Sequence, residues 1–405
     1  MSILRAVQTG LRESLLGQAA LADVRAAEAD TRVARSAIQP QVSANTYATY
    51  GNTANILGSS PGVTPGNLMS VFRNGYADQN LTAMVPLYTG GRLGSLIRVA
   101  SARGRAVSAD YGEVQSEVAY RVREAYYRAL LAAEFESAAQ SRLDYATALL
   151  KTTQAQVDAG KGIEASVSRV AAEVSDGQRA ITSARNDRAK SLLDLKAAMG
   201  VRLDSDITLS DTLVYQPITG EVSTAIKEAL KNRPELKALR NRLAAAESQT
   251  SASEGSFKPQ IYGTVMTDAL ASGGRSYGTY TIGMTLSLPL VDGGQRRAET
   301  DKTRAMKVRI ELELREAELR VAKEVQQAWL DQETGVQNYQ TAEAALKAAQ
   351  AAYDVTAIRV QSQKAILVEL LDALAALNQA RASVAASLFD YSIADAHLNR
   401  ALGKV

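Results

Sequence analysis

The chain has no cysteine, one histidine, eight prolines and few aromatic residues. The missing cysteines exclude thiol catalysis, disulfides, cysteine-based zinc sites and a thioether lipid anchor. The one histidine, His397, has no second ligand nearby and reads as a packed or surface residue, so no metal and no cofactor are expected. No run approaches the roughly 18 to 20 apolar residues of a membrane-spanning helix. Residues 1–20 lack a basic head followed by an apolar run and do not read as a signal peptide; an exported protein starting this way would be in its mature form. A net charge of +3, evenly spread, argues against nucleic acid as a partner. Hydrophobic residues are 46% and charged ones 22%, the balance of a folded chain. Aromatics are only 5% while alanine is abundant, which favours thin, closely packed helices over a bulky core. Nothing resembles a nucleophile with its base, so no enzyme is expected.

What the chain does have is a repeat. Val85-Pro86-Leu87-Tyr88-Thr89-Gly90-Gly91-Arg92 is echoed by Leu288-Pro289-Leu290-Val291-Asp292-Gly293-Gly294-Gln295, 203 residues later. That offset persists through Val118 and Val321, Ala125 and Ala328, Ile163 and Ile366, Gly200 and Gly403. A constant register over that length marks an internal duplication. Upstream, Gln39-Pro40-Gln41-Val42 pairs with Lys258-Pro259-Gln260-Ile261 at an offset of 219. The first copy therefore carries 16 extra residues, placed within 51–75, a stretch rich in Gly, Asn, Ser and Pro that suits a hairpin tip.

Each copy predicts the same elements. In the first (1–200), helix covers 4–38, strands cover 41–52 and 76–88, a proline-free helix covers 92–157, a tip follows, and helix covers 164–199 with Gly200 as C-cap. A connecting segment spans 201–220, with Leu209, Leu213 and Val214 set to pack beside the helices. The second copy (221–405) predicts helix 222–257, strands 260–270 and 277–290, helix 295–360, a tip, and helix 366–402.

In the last strand Ile282, Met284, Leu286 and Leu288 share one face, and Thr281, Gly283, Thr285 and Ser287 the other. Such alternation suits a barrel wall between lipid and water, and equally a half-buried strand of a soluble sheet. Four strands cannot close a channel, and an open sheet in lipid leaves backbone unpaired. Lipid-facing strands would thus need several chains in one barrel. Three chains supply twelve strands, enough for a lumen.

The Pro-Gln that starts each first strand, the Pro-Leu-x-x-Gly-Gly that ends each second strand, and Asn232-Arg233-Pro234-Glu235-Leu236 together resemble the TolC-type outer-membrane efflux proteins over nearly the whole chain. The resemblance implies a mainly α fold in which two structural repeats contribute four β-strands per protomer to a trimeric, 12-stranded transmembrane β-barrel, continued by a long α-helical barrel across the periplasm. It implies a homotrimer in outer-membrane lipid, serving as exit duct for an inner-membrane pump or ABC transporter and its periplasmic adaptor (membrane fusion) protein, in drug efflux or type I secretion.

It also implies site residues. Adaptors dock on the tips, which correspond to Val157, Ala159, Gly160 and Lys161 and to Val360, Ser362, Gln363 and Lys364. Acidic residues ring the periplasmic entrance, matching Glu369 and Asp372. These two are three apart and share a helical face; the plainer reading is a solvated face beside Leu370 and Leu371. The family's tyrosine–arginine–aspartate latch corresponds to Val360, Ala365 and Ser166, which cannot form it. Gating then falls to other contacts, with Ser166, Arg169, Arg359 and Lys364 as candidates.

Other motifs fail on spacing. Asp158-Ala159-Gly160-Lys161 lacks the earlier glycine and following hydroxyl of a phosphate loop, and Gly90-Gly91-Arg92-Leu93-Gly94 loses its third glycine in the second copy. The rival reading of the whole is a soluble coiled-coil scaffold or tether of the periplasm, which accounts for the helices but not for duplicated strands.

Overall fold

A computed structural model describes residues 1–49, 76–160, 162–215, 220–272, 275–362 and 364–404. Its elements run α1 (Ile3–Glu13), α2 (Leu15–Ser36), β1 (Gln41–Thr49), β2 (Tyr76–Tyr88), α3 (Arg92–Asp158), α4 (Glu164–Met199), α5 (Val222–Asn232), α6 (Pro234–Gly255), β3 (Gln260–Ser272), β4 (Arg275–Ser287), α7 (Gln295–Gln361) and α8 (Leu367–Ala401). The fold is mainly helical with one four-stranded antiparallel sheet. The surplus placed in 51–75 lies outside the described residues.

The duplication is visible in the backbone. Gly90 and Gly91 have φ of 63° and 83°, and their counterparts Gly293 and Gly294 have 64° and 89°. These left-handed pairs, in a conformation that side chains with a Cβ resist, lead into the long helix of each copy. No proline then interrupts α3 or α7, each 67 residues and about 100 Å long at 1.5 Å per residue. Gly200 and Gly403 close α4 and α8 at φ 71° and 75°.

Two expected helices are each broken once. Residues 4–38 split at Ser14 and residues 222–257 split at Arg233, positions related by the 219 offset. Both breaks have nearly the same backbone, φ −58° ψ 123° at Ser14 and φ −54° ψ 124° at Arg233. The causes differ. Arg233 precedes Pro234, whose ring drives it out of the helical region. Ser14 restarts α2 by accepting the Gly17 N–H on its side-chain oxygen at 3.4 Å, as an N-cap does. In both copies the closing glycine lies against the break. A Cβ on Gly200 would meet the Glu13 carbonyl at 2.8 Å, and one on Gly403 would meet the Arg233 nitrogen at 3.2 Å.

The chain forms two compact units, each drawing on both copies. One comprises 1–23, 108–238 and 315–405, the other 24–107 and 239–314. The first is held by Ala6, Val7, Val118, Ala119, Val122, Tyr126, Leu195 and Met199, whose many small side chains let helices approach closely. Ile207, Leu209 and Leu213 of the connecting segment pack on this core. Val214, expected beside them, is instead exposed. In the second unit Val99, Ala102 and Ala245 form a smaller core.

The sheet belongs to the second unit, in the order β1-β2-β3-β4. Antiparallel β2 and β3 join the two copies. Register decides which residues share a face. Val42, Ala83, Val265 and Ile282 form one row across all four strands; Ala44, Leu81, Thr267 and Tyr280 form the next on that face. The opposite face carries the rows Asn45, Asn80, Asp268, Thr279 and Ser43, Thr82, Met266, Thr281. One face of the sheet is thus apolar and the other largely polar. Asn45 donates to Asn80 across the polar face at 3.0 Å.

Candidate functional site

The two tips belong to the first compact unit and connect helices of matched length. In each copy the long helix ends, at Asp158 or Gln361, and the return helix begins after an extended Ile163 or Ile366. Gly160 supplies the left-handed residue of the first turn, at φ 70°. In the second, the Lys364 N–H donates to the Arg359 carbonyl at 2.8 Å. Ala159, Gly160, Ser362 and Lys364 are exposed, and Val157 and Val360 half-buried. Lys161 and Gln363 lie outside the described residues.

Residues 145–166 and 353–374 enclose a cavity of about 440 Å³. Ser166, Val360 and Ala365, read as the vestiges of a latch, all line it, together with Leu370 and Leu374. Serine, valine and alanine there can fill space but not form an ion pair. The two hairpins meet instead through aromatic rings. Tyr145 of α3 and Tyr353 of α7 stand edge to face at 5.6 Å, and the Arg381 guanidinium lies 5.7 Å above Tyr145. Sequence reading missed this contact, because the two tyrosines are not equivalent positions of the repeat.

Glu369 and Asp372 both lie exposed on the first turns of α8, while Leu370 between them is buried. Glu369 is engaged: the Arg359 guanidinium stands 3.7 Å from its carboxylate and also donates to the Lys364 carbonyl at 3.4 Å. Asp372 and Arg169 are exposed on α8 and α4, and the structure does not bring either onto the Arg359 pair.

A second polar centre lies in the same unit and was not anticipated. Arg233, 2% exposed, pairs with Glu324 of α7, stands 3.8 Å from Glu235, and donates to the Arg400 carbonyl at 3.2 Å. Arg400 in turn reaches Glu117 at 2.8 Å and Glu113 at 3.5 Å on α3, and covers the Tyr120 ring. Burial, reinforced by Glu235, pushes the Glu113 carboxyl up against the pull of both arginines. His397 packs here, 3.9 Å from Glu324. The Asn-Arg-Pro-Glu-Leu run was the available signal, but it names one member of a cluster whose others lie 91 and 167 residues away.

Among the described residues no group of three or more His, Asp or Glu is placed to hold a metal, and no helix is long and apolar enough to cross a membrane. The latter says nothing about strands. On the sheet, β4 exposes Tyr280, Ile282, Met284 and Leu286, with Ile282 at 74% and Met284 at 73%. Among the described residues, both outer strands, β1 and β4, have one unpaired edge in the single chain.

Comparison with known proteins agrees with this arrangement. The family model described as outer membrane efflux protein matches residues 10–201 and 225–404, one stretch per copy. The alkaline protease secretion protein AprF of Pseudomonas aeruginosa is 27% identical over 192 residues, 45% of this chain and 40% of AprF, so the chain matches well under half the length of that relative. Among solved structures, the outer membrane protein VceC from Vibrio cholerae superposes with TM-score 0.81 at 17% identity, covering 99% of this chain and 96% of that one. The open state of the MtrE outer membrane channel of Neisseria gonorrhoeae gives 0.81 at 18%, covering 99% and 89%. At such identities the shared property is the fold. The chain belongs to the outer membrane efflux protein family, a family of channels rather than enzymes.

Proposed function

We propose that this outer membrane efflux protein works as a homotrimer, the exit duct of a tripartite efflux or type I secretion assembly. The observation that carries the reading is the sheet: four strands, one apolar face, two open edges. A lipid-facing sheet cannot leave backbone edges unpaired. Edge-to-edge joining of three chains satisfies β1 and β4 of each and closes a 12-stranded barrel. The Val42–Ile282 row then faces lipid and the Asn45–Thr279 row faces water, as in other outer-membrane barrels.

The helices continue this duct through the periplasm. Exposed Ala159, Gly160, Ser362 and Lys364, with Val157 and Val360 beneath them, offer the surface for a periplasmic adaptor protein, which links the duct to an inner-membrane pump or ABC transporter. Lys161 and Gln363 complete those tips in sequence. Glu369 and Asp372 border the narrow periplasmic entrance. Arg359, with Ser166 and Arg169 on the facing hairpin, belongs to the gate in place of the family's latch. The duct passes cargo, drug or protein, without changing it chemically.

Purified protein in planar bilayers should give stepwise conductance, and chemical crosslinking in detergent should stop at the trimer. A monomer that stays soluble without detergent and shows no conductance would remove this reading and favour the tether.

A further inference from the structure

The mouth is less anionic than its two acids suggest. Glu369 already has Arg359 of its own hairpin 3.7 Å away, held there by a second bond from the guanidinium to the Lys364 carbonyl. Asp372 has an answer of another kind. It is the sixth residue of α8, and Arg169 is the sixth residue of α4, at the 203-residue offset that relates the two hairpins. The tips lie side by side, since Gly162 and Ser166 share a cavity with Val360, Ala365 and Leu367. By that equivalence Arg169 corresponds in depth to Asp372 on the neighbouring hairpin, and both side chains are exposed.

We infer that Arg359 and Arg169 are the selectivity-determining residues of the entrance: they offset Glu369 and Asp372 one for one, so that the mouth discriminates weakly between cations and anions. The inference rests on the proposed placement of Glu369 and Asp372 at the entrance of a trimer. In that trimer six carboxylates and six guanidiniums occupy the two levels, with no net charge. A ring selects ions by the net field it projects into the lumen, and opposite charges at one depth offset each other there, most completely for a close pair such as Arg359 and Glu369 and less so as separation approaches the Debye length, roughly 8 Å at physiological salt. The first copy, which holds Ser166 and Arg169 where the second holds Glu369 and Asp372, is thus an active counterweight and not mere support.

The test is the reversal potential of reconstituted channels under a KCl gradient. Wild-type channels should show a cation-to-anion permeability ratio near one. Arg169→Gln with Arg359→Gln, which exposes six uncompensated carboxylates, should raise that ratio roughly three- to tenfold. Adding Glu369→Gln and Asp372→Asn to that background should return it to the wild-type value. All four side chains are exposed, and trimer yield and unit conductance report whether each variant assembles. A strongly cation-selective wild type that loses selectivity with Glu369→Gln and Asp372→Asn but ignores both arginine substitutions would overturn the compensation and leave the entrance in place. If none of the four substitutions moves the reversal potential, the charges do not border the pore, and the entrance assignment fails with the inference.

Discussion

The two copies break their first helix at the same place with the same backbone geometry, yet they hold the break differently. In the first, Ser14 is a small buried cap, and elsewhere in the same unit Ala129 and Leu192 stand where the second copy has Gln332 and Asp395. In the second, Arg233 anchors an ion-pair cluster, and Gln332 donates to Asp395 at 3.1 Å inside the helix packing. One backbone solution thus tolerates two chemistries. What it demands of both is a glycine, Gly200 or Gly403, close against the broken helix.

This contrast can be broken at its strongest point first. Arg233→Ala should cost about 3 kcal/mol or more, because it leaves Glu324 and Glu235 without the buried cation they share. Ser14→Ala should cost about 1 kcal/mol, the worth of one cap. Apparent denaturation midpoints in detergent measure both, and equal effects would contradict the asymmetry. The glycines come next. Gly200→Ala and Gly403→Ala each force a Cβ into left-handed backbone, at about 1–2 kcal/mol. Gly200→Ala should be the worse, since its Cβ would lie 2.8 Å from a carbonyl oxygen against 3.2 Å for the nearest atom at Gly403.

The smallest effect concerns pH. Burial pushes the Asp395 carboxyl above its ordinary 3.8, opposed by Gln332, Arg123 and Asn399. A carboxyl raised in the folded state contributes stability at acid pH that is lost as pH rises from the ordinary value through the raised one. Asp395→Asn should therefore gain on the wild type between acid and neutral pH, by about 1–2 °C in apparent midpoint. The first copy has Leu192 there, with no proton to exchange. A gap independent of pH would show that Asp395 keeps an ordinary carboxyl.

Much of the architecture was legible because its determinants are local. Paired glycines, the absence of proline over 67 residues and a C-terminal glycine each act within a turn of where they stand, and the expected ends of α3, α4, α7 and α8 fall within two residues of those found. The break at Arg233 was equally local in origin, being set by Pro234, but the apolar pattern continues across it and hides it. The break at Ser14 has no proline to announce it. For the site, the equivalence of the tips followed from one constant offset, while the Arg359–Glu369 contact required the turn between them to be folded.

The sequence alone determined that this chain is a duplication of helices and hairpins with one alternating strand, since each of those properties depends on neighbours in the chain. Tertiary structure decided the rest. Pairing of β2 with β3 extends the alternation seen in β4 into a four-strand apolar face, by joining segments nearly two hundred residues apart. Packing of α3 beside α5, α7 and α8 makes Arg233 and Arg400 the centre of a charged cluster. Contacts of that span depend on which helices become neighbours, and in a chain built twice from one pattern only the folded arrangement settles that.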